Sequence, residues 1–390
     1  MGSISDAFAI LLAAHHPALK LLGVSTVHGN GSLENTTVNA GSILEAIGRS
    51  DIPVYPGAKK PFCRKAVHAE NIHGTIPIFT CSAIYHITYT LRLLGASGID
   101  GTDLLPAPTK PAVTNVSAFV AMREALLSQP KDTAWVVATG TLTNIAILFA
   151  TFPEVAEHVR GISIMGGAIG GGFSGVPISK KEGDELRVGN ITPWAEFNIY
   201  CDPESAQSIF SSPVLAPKTT LVTVDLTHQV LATKAVQSRI LGFDGATGEK
   251  QSPSVLRQIL HALLTYFAGT YDSVFGISAG PPLHDPLAVA ILLSNLNDQA
   301  KKADGLKEQL PFDDASGARY NVSIVTDGLH HCVDGADLQG EVGRTNVSPC
   351  LDGVGGVTIP CSLDVDKFWE TIYDCLDRAD RWNLERVQTI

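Results

Sequence analysis

The sequence lacks the features that define several classes of protein. Its seven cysteines are scattered and none forms a C-x-x-C pair, which favours reduced thiols over a disulfide framework or a zinc site. No uninterrupted apolar run reaches the roughly 20 residues that span a bilayer. The first residues show no basic region followed by a long apolar stretch, so we see no secretion signal. We therefore expect a cytoplasmic protein with no membrane partner.

The sequence contains few charged residues, and its acidic residues outnumber its basic ones. Charged residues make up 17% of the 390 residues, and the formal net charge is −11. An acidic surface disfavours nucleic acid and anionic membranes as partners. Hydrophobic residues reach 45%, which is typical of a globular chain with a large core. Because we find no internal repeat and no convincing linker, we expect a single domain over residues 1–390.

Short apolar runs rich in β-branched residues alternate with stretches of helical spacing. The predicted strands are residues 19–27, 52–55, 134–138, 161–165 and 220–225. Helical spacing of apolar residues appears in 33–47 and 118–127. This alternation predicts an open, mostly parallel α/β sheet that is doubly wound, with helices on both faces. Ligands bind such sheets beyond the carboxyl ends of the strands.

Polar residues concentrate where that rule places a ligand. Asn30 follows the first predicted strand, Thr139 follows the third, and Met165 ends the fourth. Later come Asn190, the pair Glu196 and Asn198, and the pair His284 and Asp285 between prolines. Together they offer an imidazole, carboxylates, amides and a backbone carbonyl, which can hold a hard cation and a sugar with adjacent hydroxyls.

Each of these signals has a simpler explanation when it is taken alone. Asp285 can cap a helix beside a packed His284. Thr139 can belong to an ordinary turn that starts a helix, and Asn198 can lie in a surface loop. Their joint occurrence with His28-Gly29-Asn30 and Ile72-His73-Gly74, in this order, favours a functional site.

Several segments resemble the inosine/uridine-preferring nucleoside hydrolases, in particular the uridine nucleosidases. They are SDAFAILLAAHHPALKLLGVSTVHGN, NIHG, SGIDGTDLLP, VATGTLTNIAI, ISIMGG, AEFNIYCDPESA, VDLTHQVLAT and GPPLHDPLAVA, with a weaker match in LDVDKFWETIYDCLDRAD. The resemblance implies an open sheet of the nucleoside hydrolase type and a homodimer or homotetramer. It also implies Ca²⁺-dependent hydrolysis of a ribonucleoside to ribose and a free base. The overall pattern alone favours uridine over inosine.

The resemblance also assigns roles to single residues. Breaking an N-glycosidic bond passes through an oxocarbenium-like cation, which requires activated water, bound ribose and a protonated leaving base. Ca²⁺ would be held by the carboxylates of Asp6 and Asp285 and by the carbonyl of Thr139. The residues implied at the ribose are Asn30, Asn190, Glu196 and Asn198, with Met165 beneath the sugar.

Two histidines and Asp6 complete the implied site. Asp6 and His284 would be catalytic, with His284 as the proton donor to the base because a histidine pKa lies near neutrality. His73 would face the base or the 5′ side of the sugar, unless it is a structural loop histidine.

The chain departs from the family pattern at its start. The family opens with a strand and D-x-D-x-G-x-D-D-A, of which Asp6 matches the last aspartate. Ser5 replaces the aspartate before it, and Met1 stands at the second aspartate, the expected metal ligand and general base. We therefore expect a sheet without its first strand and very slow or no hydrolysis. A catalytically inactive relative that binds nucleoside, or a truncated gene product, is the alternative.

A second departure is an apolar insertion at residues 75–96. A retained intron explains it, and a real lid or hairpin is the alternative. The glycines at 166–172 are spaced like those of a dinucleotide site, but a long loop follows them instead of a helix. An oxidoreductase is therefore disfavoured.

Overall fold

The computed structural model describes residues 4–67, 102–243, 252–294, 310–330, 340–351 and 355–388. His73 and the insertion at 75–96 lie outside the described residues, so the roles suggested for them stay predictions.

The helices are numbered in chain order. They are α1 (Ile4–His15), α2 (Leu33–Ala46), α3 (Ala118–Leu127), α4 (Thr143–Thr151), α5 (Pro153–His158), α6 (Phe197–Cys201), α7 (Pro203–Phe210), α8 (Val224–Thr227), α9 (Lys234–Ile240), α10 (Val255–Phe275), α11 (Asp285–Ser294) and α12 (Val365–Gln388). A 3₁₀ turn covers Ala216–Lys218. The strands are β1 (Val24–Thr26), β2 (Val54–Pro56), β3 (Trp135–Ala138), β4 (Gly161–Met165), β5 (Thr219–Val222), β6 (Phe312–Asp313), β7 (Arg319–Ile324), β8 (Thr345–Pro349), β9 (Val357–Thr358) and β10 (Ser362–Leu363).

Most of the described strands belong to one sheet with the order β3-β4-β5-β9-β7-β8. β3, β4, β5 and β9 run parallel, and β7 runs antiparallel to both β8 and β9. β1 pairs with β2 in parallel, and β10 pairs with β6 antiparallel. The prediction of an α/β fold with a mostly parallel sheet is confirmed.

Helices cover both faces of the main sheet, and β4 shows this most directly. Ile162 and Ile164 point into a hydrophobic cluster with α3, α4, α5 and α7. Met165 points to the other face, in a cluster that includes Ala288 of α11. The Ser163 hydroxyl on that face donates to the Ala288 carbonyl at 2.6 Å. All five residues of β4 are buried, as a strand with two covered faces requires.

A larger hydrophobic cluster joins α1, α2, α10, α11 and α12 with β1 and β2. Phe8 of α1 and Phe368 of α12 are fully buried in it. Among the residues that the structure describes, no helix is long and apolar enough to cross a membrane.

The predicted helices at 33–47 and 118–127 are confirmed as α2 and α3. Each begins after a serine whose hydroxyl accepts a backbone N–H of the first turn: Ser32 from Asn35 and Ser117 from Phe119.

Two predicted strands are too long. The structure confines the first to Val24–Thr26, and the last ends at Val222 before α8 begins. The backbone leaves the ladder there because the N–H of Val224 donates to the carbonyl of Gly167. An apolar run does not distinguish a strand from a buried segment of another conformation, which explains both errors.

Within the described ranges, β1 and β3 are edge strands of two separate sheets. Side chains of α4 bridge the break instead. The Asn144 Nδ2 group donates to the Ser25 hydroxyl at 2.8 Å and to the Thr26 carbonyl at 2.9 Å. Its Oδ1 atom accepts the N–H of Ala58 at 2.9 Å. One amide thereby joins α4 to β1 and to the residues after β2.

The end of α12 satisfies carbonyls at the end of α2. Trp382 Nε1 and Arg386 Nη1 donate to the carbonyl of Gly48 at 3.0 and 2.7 Å. Asn383 Nδ2 donates to the carbonyl of Ala46 at 3.0 Å. The Ala46 carbonyl is one of the terminal carbonyls that a helix leaves without internal partners, and Gly48 lies two residues beyond the helix.

Asp202 is a fully buried carboxylate that caps α7. It accepts the N–H and the hydroxyl of Ser205 at 3.1 and 2.8 Å and the N–H of Phe62 at 3.0 Å. It also accepts the hydroxyl of Thr143, which lies 2.9 Å from His28 Nε2. One side chain therefore ties three distant segments together.

We predict that Asp202→Ala lowers the free energy of unfolding by about 3 kcal/mol, because several buried donors lose their acceptor. Chemical denaturation monitored by circular dichroism measures the change. Asp364→Ala is the matched control, since Asp364 is an exposed cap that accepts one N–H, from Lys367. The control substitution should lower the free energy of unfolding by about 1 kcal/mol. Equal losses in the two variants would contradict the role given to Asp202.

Candidate active site

The first turn of α1 lies at the carboxyl end of β3. The Thr139 hydroxyl donates to Asp6 Oδ1 at 2.8 Å, and Asp6 is buried. The neighbouring Ser5 hydroxyl accepts the N–H groups of His284 and Asp285 at 2.9 and 2.7 Å. The start of α1 thus brings together the two predicted carboxylates, the predicted threonine and the predicted histidine.

Asn198, in the first turn of α6, holds two neighbouring strand ends. Its Nδ2 group donates to the carbonyl of Thr139 at 3.3 Å and to the carbonyl of Met165 at 3.2 Å. The Met165 sulfur lies 3.4 Å from the same nitrogen. Asn198, Thr139 and Met165 therefore form one cluster with Asp6.

Glu196 is buried and acts as the cap of α6. Its Oε1 accepts the N–H of Asn198 at 2.9 Å, and its Oε2 accepts those of Gly167 and Ile199 at 3.0 and 3.1 Å. Burial raises the pKa of this carboxyl, and the backbone N–H groups of Asn198, Gly167, Ile199 and Phe197 oppose the rise.

Asn190 and Asn30 lie at the border of this cluster, and both are half-buried. The Asn190 Oδ1 atom accepts the N–H of Phe197 at 2.9 Å, which fixes it to the start of α6. Asn30 follows Gly29, where a side chain would contact Thr141 and Phe197. Both amides thus belong to the same edge of the sheet as Asp6.

His284 is the centre of a buried hydrogen-bond chain. Its Nδ1 atom lies 2.6 Å from the hydroxyl of Thr227 at the end of α8. Its Nε2 atom lies 2.7 Å from the hydroxyl of Tyr271 on α10. The His228 ring is 5.6 Å from the His284 ring, centroid to centroid. Helices α8, α10 and α11 therefore fix the orientation of this imidazole.

The surroundings of His284 and Tyr271 shift the pKa values of both side chains. Burial, followed by the nearby His228, lowers the pKa of His284 well below its ordinary value. The expected pKa near neutrality is therefore wrong for this buried imidazole, which is neutral at pH 7. Burial also raises the pKa of Tyr271, helped by the charges of Glu196 and Asp285, so its hydroxyl keeps its proton.

Sequence reasoning missed Tyr271, Thr227 and the anchoring role of Ser5. Tyr271 lies on the buried face of a long apolar helix, where an aromatic residue is an ordinary core residue. The contact with His284 depends on how α10 packs, so no local motif could reveal it. The match of Ser5 to a family aspartate position was the one available signal.

The oxygen donors suit a hard cation such as Ca²⁺ by their chemistry. Asp6 and Asp285 would each supply a carboxylate and Thr139 its carbonyl. Within the described part of the chain, no three His, Cys, Asp or Glu side chains form a metal cluster. Since Ca²⁺ takes about 6–8 oxygen ligands, water and substrate oxygens would have to complete its coordination.

The chain is similar to known proteins in sequence and in fold. A family model described as inosine-uridine preferring nucleoside hydrolase matches residues 1–370. The uridine nucleosidase of Saccharomyces cerevisiae is 34% identical over 379 residues, which cover 96% of this chain and 94% of that protein. A probable ribonucleoside hydrolase of Dictyostelium discoideum is 36% identical over 382 residues, with 96% and 92% covered.

Among solved structures, a purine-preferring ribonucleoside hydrolase from Gardnerella vaginalis superposes with a TM-score of 0.65 at 21% identity. The superposition covers 97% of this chain and 96% of that one. At this identity the likeness concerns the fold.

We predict that His228 makes stability depend on pH, because burial lowers its pKa from 6.5 to about 4. Below pH 6.5 the unfolded chain binds a proton at this residue that the folded chain does not bind. The free energy of unfolding therefore falls as pH drops from 6.5 towards 4, by roughly 3 kcal/mol from this residue.

Denaturation of the parent and of His228→Asn, from pH 8 to pH 4, measures this contribution. The difference in stability between the two proteins should be constant above pH 7 and shift by the stated amount below it. Parallel profiles over the whole range would contradict the assignment.

Proposed function

Because this chain belongs to the inosine-uridine preferring nucleoside hydrolase family, we propose that it hydrolyses the N-glycosidic bond of uridine with Ca²⁺ as its cofactor. One observation carries the proposal: Asp6, Thr139, Asn198, His284 and Asp285 meet at one edge of the sheet. The reaction adds water across the bond between ribose and base, so this edge must hold the sugar, a water molecule and a proton donor.

Asp6 and Asp285 supply negative charge where an oxocarbenium-like ribosyl cation would develop. Bound Ca²⁺ would supply coordination sites for two ribose hydroxyls and a water molecule. The Asn198 side chain keeps its Oδ1 atom for a sugar hydroxyl while its Nδ2 group holds the carbonyls of Thr139 and Met165. The water must lose a proton to a carboxylate, and Asp6 is the candidate in this chain.

The leaving base needs a proton, and we assign its delivery to the hydrogen-bond chain of Thr227, His284 and Tyr271. A neutral imidazole passes a proton by donating from one nitrogen while the other accepts. The Tyr271 hydroxyl, 2.7 Å from Nε2, keeps its proton at pH 7. Proton delivery through His284 and Tyr271 balances the proton that the attacking water releases.

The preference for uridine is supported by the relative that is named a uridine nucleosidase. A cytoplasmic location and a homodimer or homotetramer stay predictions of the sequence.

We predict that the purified chain releases ribose from uridine slowly, because Met1 stands at the position of the family's general base, but faster than from inosine, and that a calcium chelator abolishes the release. Asp285→Asn should lower kcat/KM by at least about 10²-fold, because it removes a charge beside the developing cation. Asp272→Asn, an exposed position on α10, is the matched control and should retain activity.

Turnover that the chelator leaves unchanged would contradict the calcium assignment. No turnover from a folded parent chain that still binds ribose would instead identify an inactive nucleoside-binding relative.

We predict that Tyr271→Phe lowers kcat on uridine by about 10²-fold with little change in KM, because a proton-transfer partner is lost. The same substitution should lower kcat much less on a ribosyl substrate with a better leaving group, such as p-nitrophenyl riboside. Ring packing of Tyr271 on Phe267 and Phe275, at 4.9 and 5.2 Å, survives the substitution. Tyr373→Phe on α12 is the control that removes a hydroxyl far from His284. Equal losses on both substrates would argue against proton delivery.

A further inference from the structure

His228, the first residue after α8, is a buried imidazole whose polar atoms the fold does not satisfy. It is 3% exposed, and within the described part of the chain neither ring nitrogen has a hydrogen-bond partner. The carbonyl of Pro177 acts on the ring but does not meet hydrogen-bond geometry. Buried polar atoms without partners cost free energy, so their presence in a folded protein requires a reason.

Other buried histidines of this protein show the usual arrangement. The Nε2 atom of His15 lies 2.9 Å from the carbonyl of Ile47, and that of His28 lies 2.9 Å from the hydroxyl of Thr143. These rings fill space and also find a polar partner. Packing alone does not explain an imidazole at position 228, because an apolar side chain of similar volume would fill the same space without unpaired atoms.

The His228 ring lies beside the groups to which we assign protonation of the leaving base. Its centroid is 5.6 Å from that of His284 and 6.0 Å from that of Tyr271. The hydroxyls of Thr227 and Tyr271 lie 2.6 and 2.7 Å from the two nitrogens of His284. Both hydroxyls are therefore used by His284, and His228 is left as the unpaired member of the cluster.

The electrostatic surroundings of His228 differ from those of its neighbour. The charges of Glu196 and Asp285 act on the pKa of Tyr271. Burial lowers the pKa of His228 to about 4 against the Pro177 carbonyl, and no carboxylate of the described residues contributes. The ring is neutral at pH 7, with one donor and one acceptor. It therefore offers hydrogen bonds without charge, away from the carboxylates.

We propose that His228 is a specificity-determining residue that binds the polar edge of the leaving base. One ring nitrogen pairs with a carbonyl oxygen or with the ring N–H of uracil, which presents both kinds of group. The proposal rests on the proposed function, because that function places the base beside His284 and Tyr271. A site with a polar group that only the ligand satisfies rejects analogues that lack the matching group.

A buried water molecule is the alternative partner for such a ring. Ordered buried waters make about three hydrogen bonds to protein groups that lack other partners. The two hydroxyls in this cluster already bond to His284, so they offer a water little support. The cluster therefore favours a ligand that brings its own framework of polar atoms.

The test measures the binding of uracil and of ribose to the full 390-residue chain with Ca²⁺ by calorimetry. Neither ligand has a glycosidic bond, so the measurement does not require turnover. His228→Leu, which keeps a similar side-chain volume, should weaken uracil binding at least tenfold and leave ribose binding unchanged. Its melting temperature at pH 8 should equal or exceed that of the parent, because unpaired polar atoms are removed.

His158→Leu at the end of α5 is the matched control, since the Nε2 atom of His158 lies 2.9 Å from the carbonyl of Gln129. It should lower the melting temperature and leave both affinities unchanged. Nuclear magnetic resonance of ¹⁵N-labelled histidine gives a second measurement that does not depend on the leucine variant. Uracil should shift the ring-nitrogen signal that is absent from His228→Asn, and ribose should not.

Three results would overturn the proposal. Uracil binding that is equal in the parent and in His228→Leu would exclude a contact with the base. A lower melting temperature with equal losses of uracil and ribose binding would make His228 a structural residue. A parent chain that binds no uracil would leave the ring without this ligand. Failure of the proposed hydrolysis is distinct: uridine would release no ribose, while the uracil affinities of parent and variant would still differ.

Discussion

The hydrogen bonds of Asn144 help to connect two sheets that share no backbone ladder within the described residues. The amide reaches Ser25 and Thr26 on one side and Ala58 on the other, while its own helix follows β3. Together with the bonds of His28 to Thr141 and Thr143, this link fixes the loop that carries Asn30 relative to the loop that carries Thr139. The arrangement of the site therefore depends on buried side chains that lie between the two sheets.

Several site residues also hold the backbone in place. Glu196 caps a helix, Asn198 joins two strand ends, and Ser5 fixes the start of α11. A residue with both duties is rigid before any ligand arrives, and such preorganised polar groups stabilise developing charge efficiently. Because these residues have both roles, substituting one of them reduces activity and stability together, and the experiment does not separate the two effects. Tyr271 is more informative, since its hydroxyl contacts the imidazole while its ring serves the core.

Much of the fold follows from sequence pattern, because buried parallel strands and capped helices have local signals. The runs at β3 and β4 and the serines before α2 and α3 are examples. The meeting of Asp6, Thr139, Asn198 and His284 was expected from the order of motifs along the chain. Tyr271 and the low pKa of His284 were not, because both arise from the packing of α8, α10 and α11. The exact ends of the first and last predicted strands depended on hydrogen bonds that hydrophobicity does not encode.

The contact between α12 and the end of α2 affects the order in which hydrogen bonds form during synthesis and folding. Gly48 and Ala46 receive their donors from residues 334 to 338 positions later in the chain. At 5–20 residues per second, synthesis of that interval takes about 20–70 s. During this period the last carbonyls of α2 can bind only water or a temporary partner. The end of α2 therefore completes its hydrogen bonding only after α12 has been synthesised, so these contacts between residues far apart in the sequence form late in folding.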